Sequence, residues 1–596
     1  MSQPPSIVWF LIDGIRTYPT DQDLRGRLPV MDRFAQHAVE FTTCATTAPS
    51  TIMSITAMMT GLPAYFLARN YDDFRFDSRF YASLANVLKR HDYCSYAFLR
   101  GDEAREKFRH LLDPVPRRFW APHLRHGFKW TNDDLNLVLE RVLQSGVARP
   151  AFLFFHYNPQ TGSRRGMLVD PAVSDKVEDA STMLGQAGFT PDNTIFIMCS
   201  DHGFPDPSTG LDTEWEVKHR LGHDMVLTDD NILIPLLVRY PSCTAKQITE
   251  LVSSLDIFPT LLDLAGISGN TEIGEAVAGK SLVPLMEMRP DAAHQGGFAR
   301  CDSRLMFQTG RSTAIRSQDH KYIRYHDEYR VPISAQAGST PEVLIDLRED
   351  PSEMKNVLLA GSVQSHTRDA LAACRSEFER TEANAVRVQI NYFLARHRDT
   401  YLAKDGSRRP DQLPRILLMF EPDTSAYADI GVSAVTKALP QAEVDVLSSY
   451  NSLSEHCERL ANQSFVYAQH GNGQIASPAL LHNGQSPKYD LVMLFVQNPS
   501  APIAADLLKI AKGVRARRRL VLDCNFNVYR PRRYWFYRFR ALIQRLPYVL
   551  EEPVFLLLQL RVGARYVARY VLRRLRLWER WEEAMYPGGQ QDARGH

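Results

Sequence analysis

Two short runs of almost wholly apolar residues, Ser6–Ile12 (SIVWFLI) and Thr194–Cys199 (TIFIMC), constrain this chain more than any other feature. Neither alternates between polar and apolar positions, so neither reads as a strand with one face in water. Continuous apolarity over six or seven residues suits strands of a sheet covered by helices on both faces. Each run is followed at once by polar residues, Asp13-Gly14 after the first and Ser200-Asp201-His202-Gly203 after the second. Open α/β sheets bind ligands beyond the carboxyl ends of their strands. Asp13, Asp201 and His202 are therefore expected at one sheet edge, converging on a single cation although they lie far apart in sequence. A third run, Phe152–Phe155, ends in His156 and brings another imidazole to that edge.

Between these strands lies Ala48-Pro49-Ser50-Thr51-Ile52-Met53-Ser54-Ile55-Thr56-Ala57-Met58-Met59-Thr60-Gly61. Pro49 with Ser50 or Thr51 marks a helix start, and Gly61 with Pro63 marks its stop. A hydroxyl at a helix N-terminus sits beside free N–H groups and the positive end of the dipole, where an anionic phosphoryl or sulfuryl group is held. Taken alone, a Ser-Thr pair is more often a plain N-cap, and an Asp-His pair after a strand more often a turn. Their combination points to metal-assisted ester chemistry.

In this order the blocks resemble the sulfatase branch of the alkaline phosphatase superfamily, from about Ser6 to Val357. Thr51 falls on the family's nucleophile position and Ser54 on the Ser of its Cys-x-Pro-Ser-Arg pattern. The strand ending in His156, the strand Asn231–Pro241, the block Ser254–Gly266 with Gly279-Lys280-Ser281-Leu282, and Asp346-Leu347 with Asp350-Pro351-Ser352-Glu353 carry the rest of the likeness. The resemblance implies that Asp13, Asp201 and His202 hold one divalent metal ion with the Thr51 oxygen at the open position. It implies that His156 and His223 serve the leaving group, with Lys218 (and His219) as second choices. Mixed nitrogen and oxygen ligation favours Zn or Mn, with Ca or Mg as alternatives. The departures bear on the substrate. Thr51 stands where sulfatases carry the Cys or Ser that becomes formylglycine, Ile55 where they carry Arg, and Gly14 where they carry a second Asp. One acid, a Thr nucleophile and an Asp-His pair look more like the phosphoglycerol and phosphoethanolamine transferases of the superfamily. A phosphate ester is thus the expected substrate, with a surface glycan or lipid-linked molecule as the guess and a sulfate ester as the alternative. A catalytically degenerate scaffold protein in glycan assembly is the reading from another class.

At 596 residues the chain exceeds one ordinary core, so two or three domains are expected. The expected architecture is α/β throughout: an alkaline-phosphatase-like doubly wound sheet with a small C-terminal subdomain over residues 1–360, a helical linker over 361–410, a Rossmann-like α/β domain over 411–528 and a basic helical tail over 529–596. Strands of the second α/β domain are expected at Arg415–Phe420, Glu443–Leu447, Phe465–Ala468, Tyr489–Val496 and Arg519–Leu522. Its first βαβ unit resembles the opening of heptosyltransferase-type glycosyltransferases, and no Gly-x-Gly-x-x-Gly follows its first strand.

The eight cysteines form no Cys-x-x-Cys pair, which suits a reducing compartment. The chain enters its first core strand directly after Met1-Ser2-Gln3-Pro4-Pro5, and no apolar run approaches the roughly 20 residues needed to span a bilayer. A cytoplasmic protein without a cleaved export signal is expected. Charge is unevenly spread. From Lys512 to Arg580 there are eighteen basic and four acidic residues, against a formal net charge of +2 for the whole chain. Arg561, Arg565, Arg569 and Arg573, four apart, form a basic stripe beside Val562, Tyr566 and Tyr570. Such a tail suits an anionic membrane surface, here residues 529–580 on the inner face, and a solvated Arg face packed on the domain is an equal alternative. No nucleic-acid module accompanies the charge, which argues against that partner.

Overall fold

The structure is a computed structural model describing residues 4–17, 28–63, 82–99, 108, 111–112, 132–161, 168–169, 172–205, 226–267, 277–289, 297–304, 311–325, 342–359, 365–402, 414–420, 425–449, 455–467, 488–496, 502–523 and 528–529. The first sheet contains β1 (Ser6–Ile12), β2 (Val39–Ala45), β3 (Cys94–Phe98), β4 (Ala151–Tyr157), β7 (Thr194–Cys199), β8 (Leu233–Arg239), β9 (Lys246–Ile248) and β10 (Val252–Ser253). A separate antiparallel ribbon joins β5 (Gln160–Thr161) to β6 (Leu168–Val169). In space the large sheet runs β10-β2-β8-β7-β1-β4-β3, with β9 pairing β2. β1 pairs in parallel with β4 on one side and β7 on the other. β8 alone runs against its neighbours, antiparallel to β2 and β7, so the sheet is mixed. Pro235 cannot donate to a ladder, and it sits where the β2–β8 register jumps between Phe41 and Cys44.

Helix α1 (Pro29–Ala35) precedes β2. Both faces of β1 are covered, as its unbroken apolarity requires. Ile7, Trp9 and Leu11 pack with Ile52, Ile55, Met58 and Met59 of the helix α2 (Thr51–Thr60) and with Phe258 and Leu261. Val8, Phe10 and Ile12 face the other way, against Leu135, Leu139, Val177 and Leu184 of two helices on the opposite side. The helix α2 begins at Thr51 and stops at Gly61, whose φ of 64° is the left-handed C-cap that glycine adopts without strain.

A small antiparallel sheet follows, β11 (Ala299–Arg304), β12 (Arg311–Arg316), β13 (His320–Tyr325) and β14 (Glu342–Asp346). The polar stretch after it is one helix, Ser365–Leu402. Its Cys374, Leu371 and Phe378 pack on Ile315, Tyr322 and Leu344 of the small sheet, and its Ala385 joins the core of the next sheet. Arg300 ties the same helix to β11 by hydrogen bonds to Thr381 (2.9 Å) and Glu382 (2.8 Å).

The last sheet is made of β15 (Arg415–Phe420), β16 (Glu443–Ser449), β17 (Gln463–Tyr467), β18 (Tyr489–Val496), β19 (Ala516–Asp523) and β20 (Val528–Tyr529). Its order is β17-β16-β15-β18-β19-β20, and all pairs are parallel except β19–β20. The first strand therefore lies in the middle, with the chain stepping outward in both directions. β17 starts two residues earlier than its apolar run because Gln463 pairs with Asp445 and accepts a hydrogen bond from Arg415. Among the described residues, six cysteines are free thiols and no helix is long and apolar enough to cross a membrane. The basic tail beyond residue 529 lies outside the described residues.

Candidate active site

Parallel pairing of three strands assembles the site. Leu11 lies opposite His156 on β4 and opposite Cys199 on β7, so the residues that follow emerge at one edge. The Asp13 N–H donates to the Tyr157 carbonyl (2.9 Å), extending the β1–β4 ladder by one step. Gly14 then turns the chain at a φ of 71°, which aims its N–H at Asp201 Oδ1 (3.1 Å). The Ile15 N–H donates to Ser200 Oγ (2.9 Å), and Arg16 Nε donates to the Phe204 carbonyl. At Gly203 any side chain would collide with the Asp230 carbonyl, 2.1 Å from where a Cβ would stand. That close approach lets the Gly203 N–H reach the Asn231 carbonyl (2.7 Å) and seats the Asp-His turn against the next segment.

Asp13, His156, Asp201 and His202 are all buried at this edge. His156 Nε2 lies 3.5 Å from Asp13 Oδ2, and His202 Nε2 lies 3.9 Å from Asp13 Oδ1 and 3.4 Å from Asp201 Oδ2. His202 Nδ1 is 2.6 Å from the Gly203 carbonyl. A carbonyl only accepts, so Nδ1 carries a proton, and in the neutral ring Nε2 then presents its lone pair to the cluster. Asp201 Oδ1 accepts from the N–H groups of Gly14 and His202. Its Oδ2, like both ring nitrogens of His156, has no hydrogen-bond partner among the described residues. Burial pushes the Asp201 carboxyl above its usual range and the Asp13 charge adds to this, while His202, His156 and the Gly14 N–H pull the other way. Two carboxylates brought together out of water, with orphaned lone pairs aimed at a common point, form a donor set that a divalent cation fits. Asp13, His156 and Asp201 each offer one ligand atom within 4.8 Å of the others.

Thr51 opens the helix α2, with its Oγ1 3.2 Å from His202 Nε2. Ser50 holds the N-cap position in an extended conformation, but its side chain makes no capping bond. The first-turn N–H groups beside Thr51 are therefore left for other acceptors. One turn on, Ser54 Oγ donates to the Asp201 carbonyl (2.6 Å), and Thr46 Oγ1 donates to the same oxygen (2.7 Å). Ser54 thus ties the Asp201 backbone to helix α2, and Thr46, just after β2, holds the same oxygen. Ile55 is fully buried in the apolar layer beneath, so this turn of the helix puts no guanidinium near Thr51.

The structure thus brings together Thr51, Asp13, His156, Asp201 and His202. Lys218, His219 and His223 lie outside the described residues. Sequence reasoning passed over Asn158, whose Nδ2 donates to Asp13 Oδ2 (3.1 Å) and whose backbone N–H and carbonyl are both gripped by the Asn132 side chain. Its place two residues after His156 at a strand end was the available signal. Arg16 and Thr46 were passed over too. Arg16, three residues after Asp13, had a similar signal, whereas Thr46 had none.

The later motif blocks have structural duties. Asp256 accepts from the N–H groups of Ser253 (2.8 Å) and Lys280 (2.7 Å). A side chain on Gly279 would collide with the Leu255 carbonyl, which explains a glycine before Lys280. Asp350 accepts from the Lys355 N–H (2.7 Å), and Asn356 Oδ1 from the N–H groups of Leu344 and Leu358 (3.1 Å each).

Comparison with known proteins adds the following. A family model described as "Sulfatase" matches residues 5–159, and one described as "N-sulphoglucosamine sulphohydrolase, C-terminal" matches residues 218–377. Human arylsulfatase K is 30% identical over 175 residues, covering 28% of this chain and 27% of that protein. Choline-sulfatase of Rhizobium meliloti is 29% identical over 171 residues, covering 28% and 27%. The chain thus spans less than a third of the length of the curated relatives it matches. Among solved structures, a 2-O GAG sulfatase is similar at 15% identity with a TM-score of 0.47, covering 67% of this chain and 94% of that one. A phosphonate monoester hydrolase of Agrobacterium radiobacter is similar at 15% identity with a TM-score of 0.44, covering 63% and 96%.

Proposed function

Starting from a chain that belongs to the sulfatase family, we propose a metal-dependent ester hydrolase or transferase in which Thr51 is the nucleophile. The observation that carries this reading is the 3.2 Å approach of Thr51 Oγ1 to His202 Nε2, within a buried cluster that also contains Asp13, His156 and Asp201. Asp13, Asp201 and His202 would hold the divalent cation, Zn or Mn in preference to Ca or Mg. When bound, that cation would supply a Lewis acid that lowers the pKa of the Thr51 hydroxyl and offsets charge on the transferred group.

The chain's own groups do the remaining work. Thr51 Oγ bonds to the phosphorus or sulfur while the ester bond to the leaving alcohol breaks, giving a covalent ester on Thr51. Water, or an acceptor hydroxyl in the case of transfer, then takes the group and frees Thr51. The free N–H groups at the start of α2 stabilise charge on the equatorial oxygens. Ser54 and Thr46, by holding the Asp201 carbonyl, keep the helix and the cluster in register. Lys218 and His223, which fall within the span of the second family match, are the candidates for protonating the leaving oxygen.

A phosphate ester is the substrate we favour, because Thr51 cannot become formylglycine and Ile55 supplies no cation. Sulfate ester hydrolysis is the second reading, favoured by relatives named arylsulfatase K and choline-sulfatase. A panel of phosphodiesters, phosphomonoesters and sulfate esters separates the two. Thr51→Ala should lower turnover by at least about a thousandfold with fold and metal content intact, and Thr51→Ser should keep part of it. Activity should need no maturation enzyme. Parent-level turnover by Thr51→Ala would end the nucleophile assignment.

The parallel sheet β15–β19, in its β17-β16-β15-β18-β19 order, supports reading residues 411–528 as a Rossmann-like domain. The basic stretch 529–580 is proposed to meet an anionic membrane from the cytoplasmic side. Co-sedimentation with anionic liposomes should fall on deleting residues 530–596 and weaken with salt; equal sedimentation of both chains would remove the membrane from the reading.

A further inference from the structure

We propose that His156 is a ligand of the divalent cation, not a proton donor, so that two carboxylates and two imidazoles hold the ion and select transition metals over Ca and Mg. This rests on the metal-dependent reading above and deepens it.

The first ground is the state of the imidazole. His156 is the penultimate residue of a fully buried strand and is itself buried, yet neither Nδ1 nor Nε2 has a hydrogen bond among the described residues. A buried polar ring without partners is costly. A residue that moves protons ordinarily has its other nitrogen fixed by an acceptor, as His202 has through Gly203. Among the described residues His156 has no such anchor, and its Nε2 lies 3.5 Å from Asp13 Oδ2.

The second ground is the donor count. The end of β1 supplies a single carboxylate, because Gly14 has no side chain and spends its left-handed turn on aiming an N–H at Asp201 Oδ1. Register then does what sequence adjacency does not. The β1–β4 pairing sets His156 opposite Leu11, two residues before Asp13, which places its ring beside the Asp13 carboxylate. The separations of 3.4, 3.5 and 3.9 Å among His202, Asp201, His156 and Asp13 are those of neighbouring ligands around one ion with bonds of about 2.0–2.2 Å.

The third ground is charge and softness. Asp13 and Asp201 together balance one divalent cation, and two neutral imidazoles complete the set without adding charge. Ca and Mg take oxygen ligands almost throughout, whereas imidazole nitrogens suit Zn, Fe, Cu and Ni. Asn158, donating to Asp13 Oδ2 at 3.1 Å, orients that carboxylate.

The test is Co2+ titration of chelator-stripped full-length protein, followed by visible absorption, with Ca2+ as competitor. The parent should bind one Co2+ per chain and keep it against a hundredfold excess of Ca2+. His156→Gln should bind Co2+ at least about a hundredfold more weakly, beyond the 10–100-fold typical of outer-shell changes, with an altered band. His156→Asp should regain affinity and shift preference toward Ca2+; it also serves as the second variant should His156→Gln fold poorly by thermal melt. Parent-like Co2+ affinity and band in His156→Gln, with one limb of the pH–rate profile lost, would overturn the proposal and restore the proton-donor role. Asp201→Asn separates the two levels. If it loses Co2+ while His156→Gln keeps it, only this proposal fails; if it too keeps Co2+, the metal-dependent reading itself fails.

Discussion

Two clusters of buried charge, one around Lys321 and one around Asp201, are built on opposite plans. In one, Lys321 Nζ donates to the Leu227 carbonyl (2.9 Å) and to Glu353 (2.7 Å), and pairs with Asp229 at 2.6 Å. Arg316 adds a bidentate grip on Asp229, and Glu353 accepts from the Asp229 N–H. Every charge there faces an opposite one. In the other cluster Asp13 and Asp201 are brought together with two imidazoles, and Asp201 Oδ2 and both His156 nitrogens lack hydrogen bonds among the described residues. The first cluster is complete within the chain and joins the small sheet to the large one. The second leaves polar atoms without partners among the described residues, which is a pattern found at functional sites.

The carboxyls reflect the difference. Burial raises the Asp229 carboxyl, but Lys321 and Arg316 outweigh it and bring it down to about 2. Glu353 is pushed up by burial to about 7, although Lys321 pulls against this. At Asp201 burial also raises the carboxyl, and the nearby Asp13 charge reinforces it.

The comparison breaks or sharpens on three measurements. The largest effect is expected for Lys321→Met, which leaves the buried Glu353 without its cation and Asp229 with Arg316 alone, and should cost about 3–5 kcal/mol in urea unfolding. Cost near zero would mean that the cluster is not the joint described here. Next is the pH dependence of Glu353. Its folded pKa of about 7 lies above its ordinary value of 4.5, so the folded chain keeps a proton that the unfolded chain has released. Stability from this group is therefore greatest below the ordinary value and declines as pH rises toward 7, by at most about 3 kcal/mol. Glu353→Gln should flatten that decline, and an unchanged slope would show that Glu353 titrates normally. The smallest effect is expected for Asp201→Asn in chelator-stripped protein. Removing one of two like charges should leave stability unchanged or raise it by about 1–2 kcal/mol while abolishing metal affinity. A loss as large as that of Lys321→Met would place both clusters in the same structural class.

Much of the fold was legible because its signals are local. The strand β1 and its neighbour β7 announced themselves by unbroken apolar runs, and the helix α2 by Ser50 before it and Gly61 after it. The β15 and β18 strands match their apolar stretches to the residue. Less legible was whatever depends on pairing at a distance. The reversal of β8 is invisible in its composition, since a buried antiparallel strand is as apolar as a parallel one. The polar stretch after residue 360 gave no sign that Cys374 and Phe378 would pack on the small sheet.

What the sequence determined by itself was therefore which residue types stand at the ends of buried strands: Asp13, His156, Asp201, His202, and Thr51 at a helix start. What only the tertiary structure decided was their mutual arrangement. Asp13 meets Asn158 across 145 positions of chain, and Gly14 meets Asp201 across 187. Such contacts follow from strand register, which is set by the whole sheet's packing and is written in no single segment. The same holds for the His156 nitrogens, which lack partners among the described residues, because whether a buried group is paired depends on everything around it.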